Sequence, residues 1–127
     1  MNIHDLPAMV QSYIETALWS THHTGDPEGG AAGTLYRLGF TAERLAEETR
    51  VAAERTCADF WLSNADDLID MSAEQVGRDF WLTRERHGAG FWDRDLAELG
   101  DRLTDSAHDY GSADWFVGAD DLIYGAD

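Results

Sequence analysis

Apolar residues recur at helical spacing from the start of the chain, with Val10, Ile14, Ala17 and Leu18 on one stripe and Tyr13 beside them. They predict a first helix from about Leu6 to Trp19, with Pro7 in its first turn, where a missing N–H costs little. Between Ser20 and Gly33 that pattern stops. His22, His23, Gly25, Asp26, Pro27, Gly29, Gly30 and Gly33 have the composition of a flexible loop. Thr34 to Phe40 is a short apolar bridge of no clear period. A second helix is expected from Thr41, as N-cap, to about Asn64, with Leu45, Thr49, Ala52, Ala53, Cys57, Phe60 and Trp61 inward.

Ser72-Ala73-Glu74-Gln75 fits a capping box opening a third helix that runs to about Arg84 and presents Val76, Phe80 and Trp81. The glycine-punctuated turn His87–Gly90 ends it. A fourth helix follows from about Asp93 to Tyr110, with Leu96, Leu99, Leu103, Ala107 and Tyr110 on one face. Two apolar runs, Trp115–Val117 and Leu122–Tyr124, flank a Gly-Ala-Asp-Asp turn and read as a β-hairpin. A lone hairpin is marginal in water, so this one has to pack on the helices or pair with another chain. The expected fold class is mainly α (α+β): about four helices with a C-terminal β-hairpin.

A length of 127 residues fits one domain, 1–127, with a flexible loop at about 20–33. Hydrophobic content of 43% and five tryptophans argue for a core and against disorder. Asp59-Phe60-Trp61-Leu62-Ser63 and Asp79-Phe80-Trp81-Leu82-Thr83 nearly repeat. Two copies with unlike flanks fall short of a solenoid, so the expectation is two helix ends delivering Phe-Trp pairs to one core. The single cysteine, Cys57, can form no internal disulfide and is read as a small buried hydrophobe. Met1–Val10 lacks a basic region and a long apolar run, so no signal peptide is expected, and no stretch has the length of a membrane span. These readings make the host cytoplasm the expected location, with no membrane association.

Charge changes the picture most. The formal net charge is -16 at pH 7, which predicts repulsion from nucleic acid and rapid steering toward basic surfaces. Residues 1–64 hold nine acids and four arginines, whereas residues 65–127 hold sixteen and five, so the second half would draw an electropositive partner. On the expected fourth helix, Asp95, Glu98, Asp101, Asp105 and Asp109 lie opposite the leucine face. Glu98, Asp105 and Asp109 fall within about 40° of one another and span roughly 16 Å, with Arg102 the one interruption. Asp114, Asp120, Asp121 and Asp127 on the hairpin would extend the row. Such a face is either a solvated surface or an imitation of a nucleic-acid phosphate row.

Catalytic signals are missing. No HExxH, GxSxG or GK[ST] occurs, and Cys57 has no evident base beside it. Carboxylates are too plentiful for any pair to mark an acid–base dyad. His22-His23 with Asp26 is the nearest approach to a metal site and reads as adventitious. No catalytic residue, metal or cofactor is therefore expected. Thr83 to Arg94, with three arginines, Phe91-Trp92 and two glycines, is either a functional loop or a turn whose aromatics plug the core, with Arg94 paired to nearby acids.

Asp79 to Arg94, DFWLTRERHGAGFWDR, followed by Leu99-Gly100-Asp101-Arg102-Leu103-Thr104, resembles a group of small bacteriophage-encoded proteins whose core reads close to HDFWLTRNGHGAGFWDR. Ala17-Leu18-Trp19-Ser20 and Asp120-Asp121-Leu122-Ile123-Tyr124 look like that group too. Arg78 stands where a His is usual, and Glu85-Arg86 where Asn-Gly is usual. The resemblance implies a phage or prophage setting. By analogy of size and charge it points to inhibitors of the anti-CRISPR and anti-restriction kind.

The expected function is thus an inhibitor of host defence that binds a CRISPR effector or restriction complex and blocks DNA recognition, with no direct nucleic-acid binding. Asp95, Glu98, Asp101, Asp105 and Asp109 would supply the charge, continued by Asp114, Asp120 and Asp121, with Trp92 and Trp115 as anchors. The alternative is a structural or scaffolding phage protein that self-associates through its aromatic hairpin. A third option, an enzyme centred on Arg84, His87 and Arg94, would need His87 for activity. Monomer and homodimer both remain open.

Overall fold

The computed structural model describes residues 1–23 and 33–127; residues 24–32, the centre of the expected loop, lie outside the described residues. Four helices follow in order: α1 (Leu6–Ser20), α2 (Glu47–Asn64), α3 (Ala73–Arg84) and α4 (Glu98–His108). A two-stranded antiparallel hairpin, β1 (Phe116–Val117) and β2 (Ile123–Tyr124), completes the chain in the register Phe116↔Tyr124 and Val117↔Ile123. The fold is therefore the mainly α arrangement with a C-terminal hairpin that the patterning implies. Among the described residues, no helix is long and apolar enough to cross a membrane.

The most extensive packing joins α1 to α3, and a glycine makes it possible. A Cβ at Gly77 would stand 2.3 Å from the Met9 carbonyl oxygen, so the two backbones approach only because residue 77 has no side chain. Ser12 Oγ donates to the Glu74 carbonyl across the same contact at 2.6 Å. Ser72 caps α3 as expected, its Oγ accepting from the Gln75 N–H.

Around this pair an aromatic core assembles. Phe60 and Phe80, the phenylalanines of the two near-repeats, stack at 4.1 Å between centroids. Tyr13 meets Trp81 edge-on at 5.2 Å, and Phe91 adds a further stacked ring on Phe60 at 5.7 Å. Trp81 is buried, and its indole N–H donates to Ser20 Oγ at 2.9 Å. The echo is thus a shared core, with the difference that Trp61 is only partly buried. Cys57 is fully buried, and burial pushes its thiol up, with Arg84 opposing.

Two helix starts differ from expectation, each for a local reason. Thr41 makes no side-chain cap bond and precedes a single 3-10 turn, Ala42–Arg44. The chain then extends at Leu45, which bridges to Ile123, while the Ala46 N–H donates to the Ile123 carbonyl at 3.0 Å. Satisfying the edge of β2 delays α2 to Glu47. Similarly, α4 begins at Glu98 and not near Asp93, because Asp95 (φ 57°) and Ala97 (φ 53°) are left-handed and break any helix there. A 3-10 turn, Phe91–Asp93, takes up the space. The bridge of residues 34–40 folds back on α1: the Tyr36 N–H donates to the Leu18 carbonyl at 2.9 Å, and His22 pairs with Thr34.

Candidate functional site

The acidic face forms on α4 because Gly100, Leu103 and Ala107 turn inward. Gly100 lies so near the Phe91 carbonyl that a Cβ would stand 2.9 Å from it. Glu98 and Asp101 occupy the first turn, where carboxylates offset the exposed N–H groups of the helix end. Glu98, Asp101, Asp105 and Asp109 are all exposed, and Asp109 keeps helical geometry as the C-cap. The helix is held on α2 by Asn64 Nδ2, which donates to Ser106 Oγ at 2.9 Å, and by the Tyr110 hydroxyl, which donates to Asp59.

Arg102, the arginine expected to interrupt the face, turns aside onto Asp67: Nη2 to Oδ1 at 2.9 Å and Nε to Oδ2 at 3.1 Å. That hydrogen bond holds the Asp67 carboxyl below its usual range. Asp95 is exposed but lies before the helix in its left-handed kink, so it is not part of the helical row.

The hairpin acids stand elsewhere. Asp120 accepts from the Leu122 N–H at 3.1 Å and the Tyr124 hydroxyl at 2.6 Å, which fixes the turn, and Asp121 is left-handed at its end. Because β2 docks at Thr49, near the start of α2, and α4 docks at Asn64 and Asp59, near its end, the two groups sit against opposite ends of α2. Asp114 is exposed and belongs to a third turn, where Glu85 accepts from the Ala113 and Asp114 N–H groups at 2.8 and 3.2 Å. Glu85 thus ties the end of α3 to that turn. Asp127 does not extend the acidic row at all, because its carboxylate is the partner of buried Arg84.

The two proposed anchors separate. Trp115 is 5% exposed and packs against Trp81 at 5.0 Å between centroids, so it is a core residue unable to reach a partner. Trp92 is 54% exposed. Its neighbour Phe91 is buried, so only half of the expected aromatic plug enters the core. The loop beneath Trp92 is braced at several points. The Phe91 N–H donates to Thr83 Oγ1 at 3.1 Å, and the Gly90 N–H donates to Asp93 at 3.0 Å. Arg94 grips Asp79 through two bonds, of 3.0 and 2.8 Å. Gly90, at φ 143°, has no room for a side chain beside Thr83.

Sequence reasoning missed the Arg84 centre. Arg84, the last residue of α3 and one of the three centres of the enzyme option, has a side chain only 1% exposed. Nε donates to the Gly111 carbonyl at 2.7 Å, and Nη1 to the Tyr13 hydroxyl and to Asp127, both at 2.8 Å. Nη2 donates to the Tyr110 carbonyl at 3.3 Å and to the second Asp127 oxygen. Burial works against its charge, but the Asp127 and Tyr13 contacts outweigh that and hold its pKa above the ordinary arginine range. Among the described residues, no three His, Cys, Asp or Glu side chains gather where they could hold a metal ion. Asp26, of the histidine reading, lies outside the described residues. Comparison with protein-family models, with curated proteins and with solved structures returns no match.

Proposed function

We propose that the chain is a phage-derived inhibitor of host defence, which occupies the basic DNA-binding surface of a CRISPR effector or restriction complex. The observation that supports this is the line of Glu98, Asp105 and Asp109, exposed along one side of α4 while Arg102 is drawn off onto Asp67. Three exposed carboxylates over roughly 16 Å, none of them hydrogen-bonded by Arg102, resemble a phosphate row in charge and reach. Trp92, six positions ahead of the helix on a braced loop, supplies an apolar anchor, since exposed tryptophans on rigid supports dominate many interfaces. The resemblance of Asp79–Arg94 to phage proteins supplies the setting. The hairpin acids form a secondary patch.

A second reading, self-association as a scaffold, has one observation in its favour: Phe116 on edge strand β1 is 45% exposed. One experiment separates the two. Purified protein is used to capture complexes from a host-type lysate at low and then high salt, beside the Glu98→Lys/Asp105→Lys/Asp109→Lys variant. Capture of a DNA-binding complex that DNA competes, high salt releases and the triple variant abolishes is the expected result. Unchanged capture by a folded triple variant overturns mimicry, and a salt-resistant dimer with nothing captured favours the scaffold.

A further inference from the structure

Arg84 is the only fully sunk cation among the described residues, and its five N–H donors all find acceptors. Three of those acceptors are neutral and independent of the C-terminal segment: the Tyr13 hydroxyl and the Gly111 and Tyr110 carbonyls. The Tyr110 ring lies over the guanidinium as well, 5.9 Å from its centroid. These groups aim the two remaining N–H bonds, one on each Nη, in the parallel fork that matches a carboxylate.

That carboxylate comes from Asp127, which reaches in from a segment tied by one backbone bond, the Ala126 N–H to the Ala113 carbonyl at 2.7 Å. The Asp127 side chain is 21% exposed, so the pair has one wet edge. Beside it is a cavity of about 20 Å³ between Tyr13, Thr49, Ala53, Trp115 and Gly125, about the room one water needs.

We infer that the Arg84 fork, framed by Tyr13, Tyr110 and Gly111, is a carboxylate-binding site that Asp127 fills from its own chain and that a free carboxylate takes over when the Asp127 group is removed. The frame that orients the guanidinium stays when Asp127 goes. What is lost is an anion of the size of formate, and formate is the ligand that fits. The inference stands apart from the proposed function, since Arg84 and Asp127 belong to neither the α4 row nor the Trp92 loop.

The test is thermal unfolding of full-length Asp127→Ala in sodium formate and in sodium chloride of equal ionic strength. The variant is expected to melt about 10 °C or more below the parent in chloride, because a buried cation has lost its counter-ion. Formate should restore most of that loss along a saturating curve, while leaving the parent unmoved relative to chloride. If Asp127→Ala does not fold in chloride, recovery of its helical circular dichroism in formate is the same result. Formate acting no better than chloride overturns the site. The Arg84→Met/Asp127→Ala double variant, which removes both buried charges, should lose the formate response. A response that survives without the guanidinium overturns the site equally.

Discussion

Asp79 lies on the stripe Val76, Asp79, Phe80, Thr83, spaced for one helix face, and all four are buried. A carboxylate on an inward stripe requires a partner, and the two bonds from Arg94 provide it. Replacement of Asp79 by Asn keeps the shape but points an NH2 group at a guanidinium that has only donors to offer. Asp79→Asn is therefore expected to cost about 1–3 kcal/mol, the usual penalty for a buried polar group left mispaired. Urea unfolding checks it, and a change within about 0.5 kcal/mol would make the pair dispensable. Part of this was legible, since an arginine at 94 amid acids announces a pair. Arg84 was not, because a charged residue at the end of a helix normally faces water, and nothing local says that Tyr13 and Asp127, 71 and 43 positions away, converge on it.

Helix interiors followed the 3.6-residue period closely, and helix starts did not. The starts of α2 and α4 were decided by Ile123, which claims Leu45 and Ala46, and by the left-handed residues Asp95 and Ala97. Neither is a property of the segment's own pattern. Gly77 is a similar case: a glycine inside a helix reads as a weakness, whereas here it sets how near α1 can come. Gly77→Ala raises helix propensity by about 1 kcal/mol, yet should destabilise by about 1–3 kcal/mol net, because the helices must part. A higher melting temperature for that variant would refute the close approach.

The hairpin gives a pH signature. The Tyr124 hydrogen bond, then the Leu122 amide, hold the Asp120 pKa below its usual value, and the bond to Asp120, then burial, raise that of Tyr124. The turn's contribution should be whole between the unfolded values of about 4 and 10. It is lost below that window as Asp120 takes up its proton, and above it as Tyr124 ionises. Tyr124 ring resonances followed by NMR should show the late alkaline step in the parent and an earlier one in Asp120→Asn.

Across the whole molecule, the sign and bias of the charge were plain in the sequence, but its arrangement was not. Counting acids placed Asp95 through Asp127 in one row. The fold divides them into the α4 line, a turn at Asp114, a hairpin patch and a buried counter-ion at Asp127, because chain order and spatial order part company once α4 and β2 dock at opposite ends of α2. Trp115 went astray for the same reason: an aromatic at a strand start packs or protrudes according to what lies beneath it, and beneath it lies Trp81.

The contact of α1 with α3 also sets a timetable for biosynthesis. Ser20 waits for Trp81, 61 positions later, and Tyr13 for Arg84, 71 positions later. On a ribosome adding about 5–20 residues per second, the apolar stripe of Met9, Tyr13, Ile14 and Ala17 therefore goes without its native cover for several seconds. Throughout that interval the nascent N-terminal half carries exposed apolar surface of the kind that chaperones bind, and it is covered once the glycine at 77 has brought its helix home.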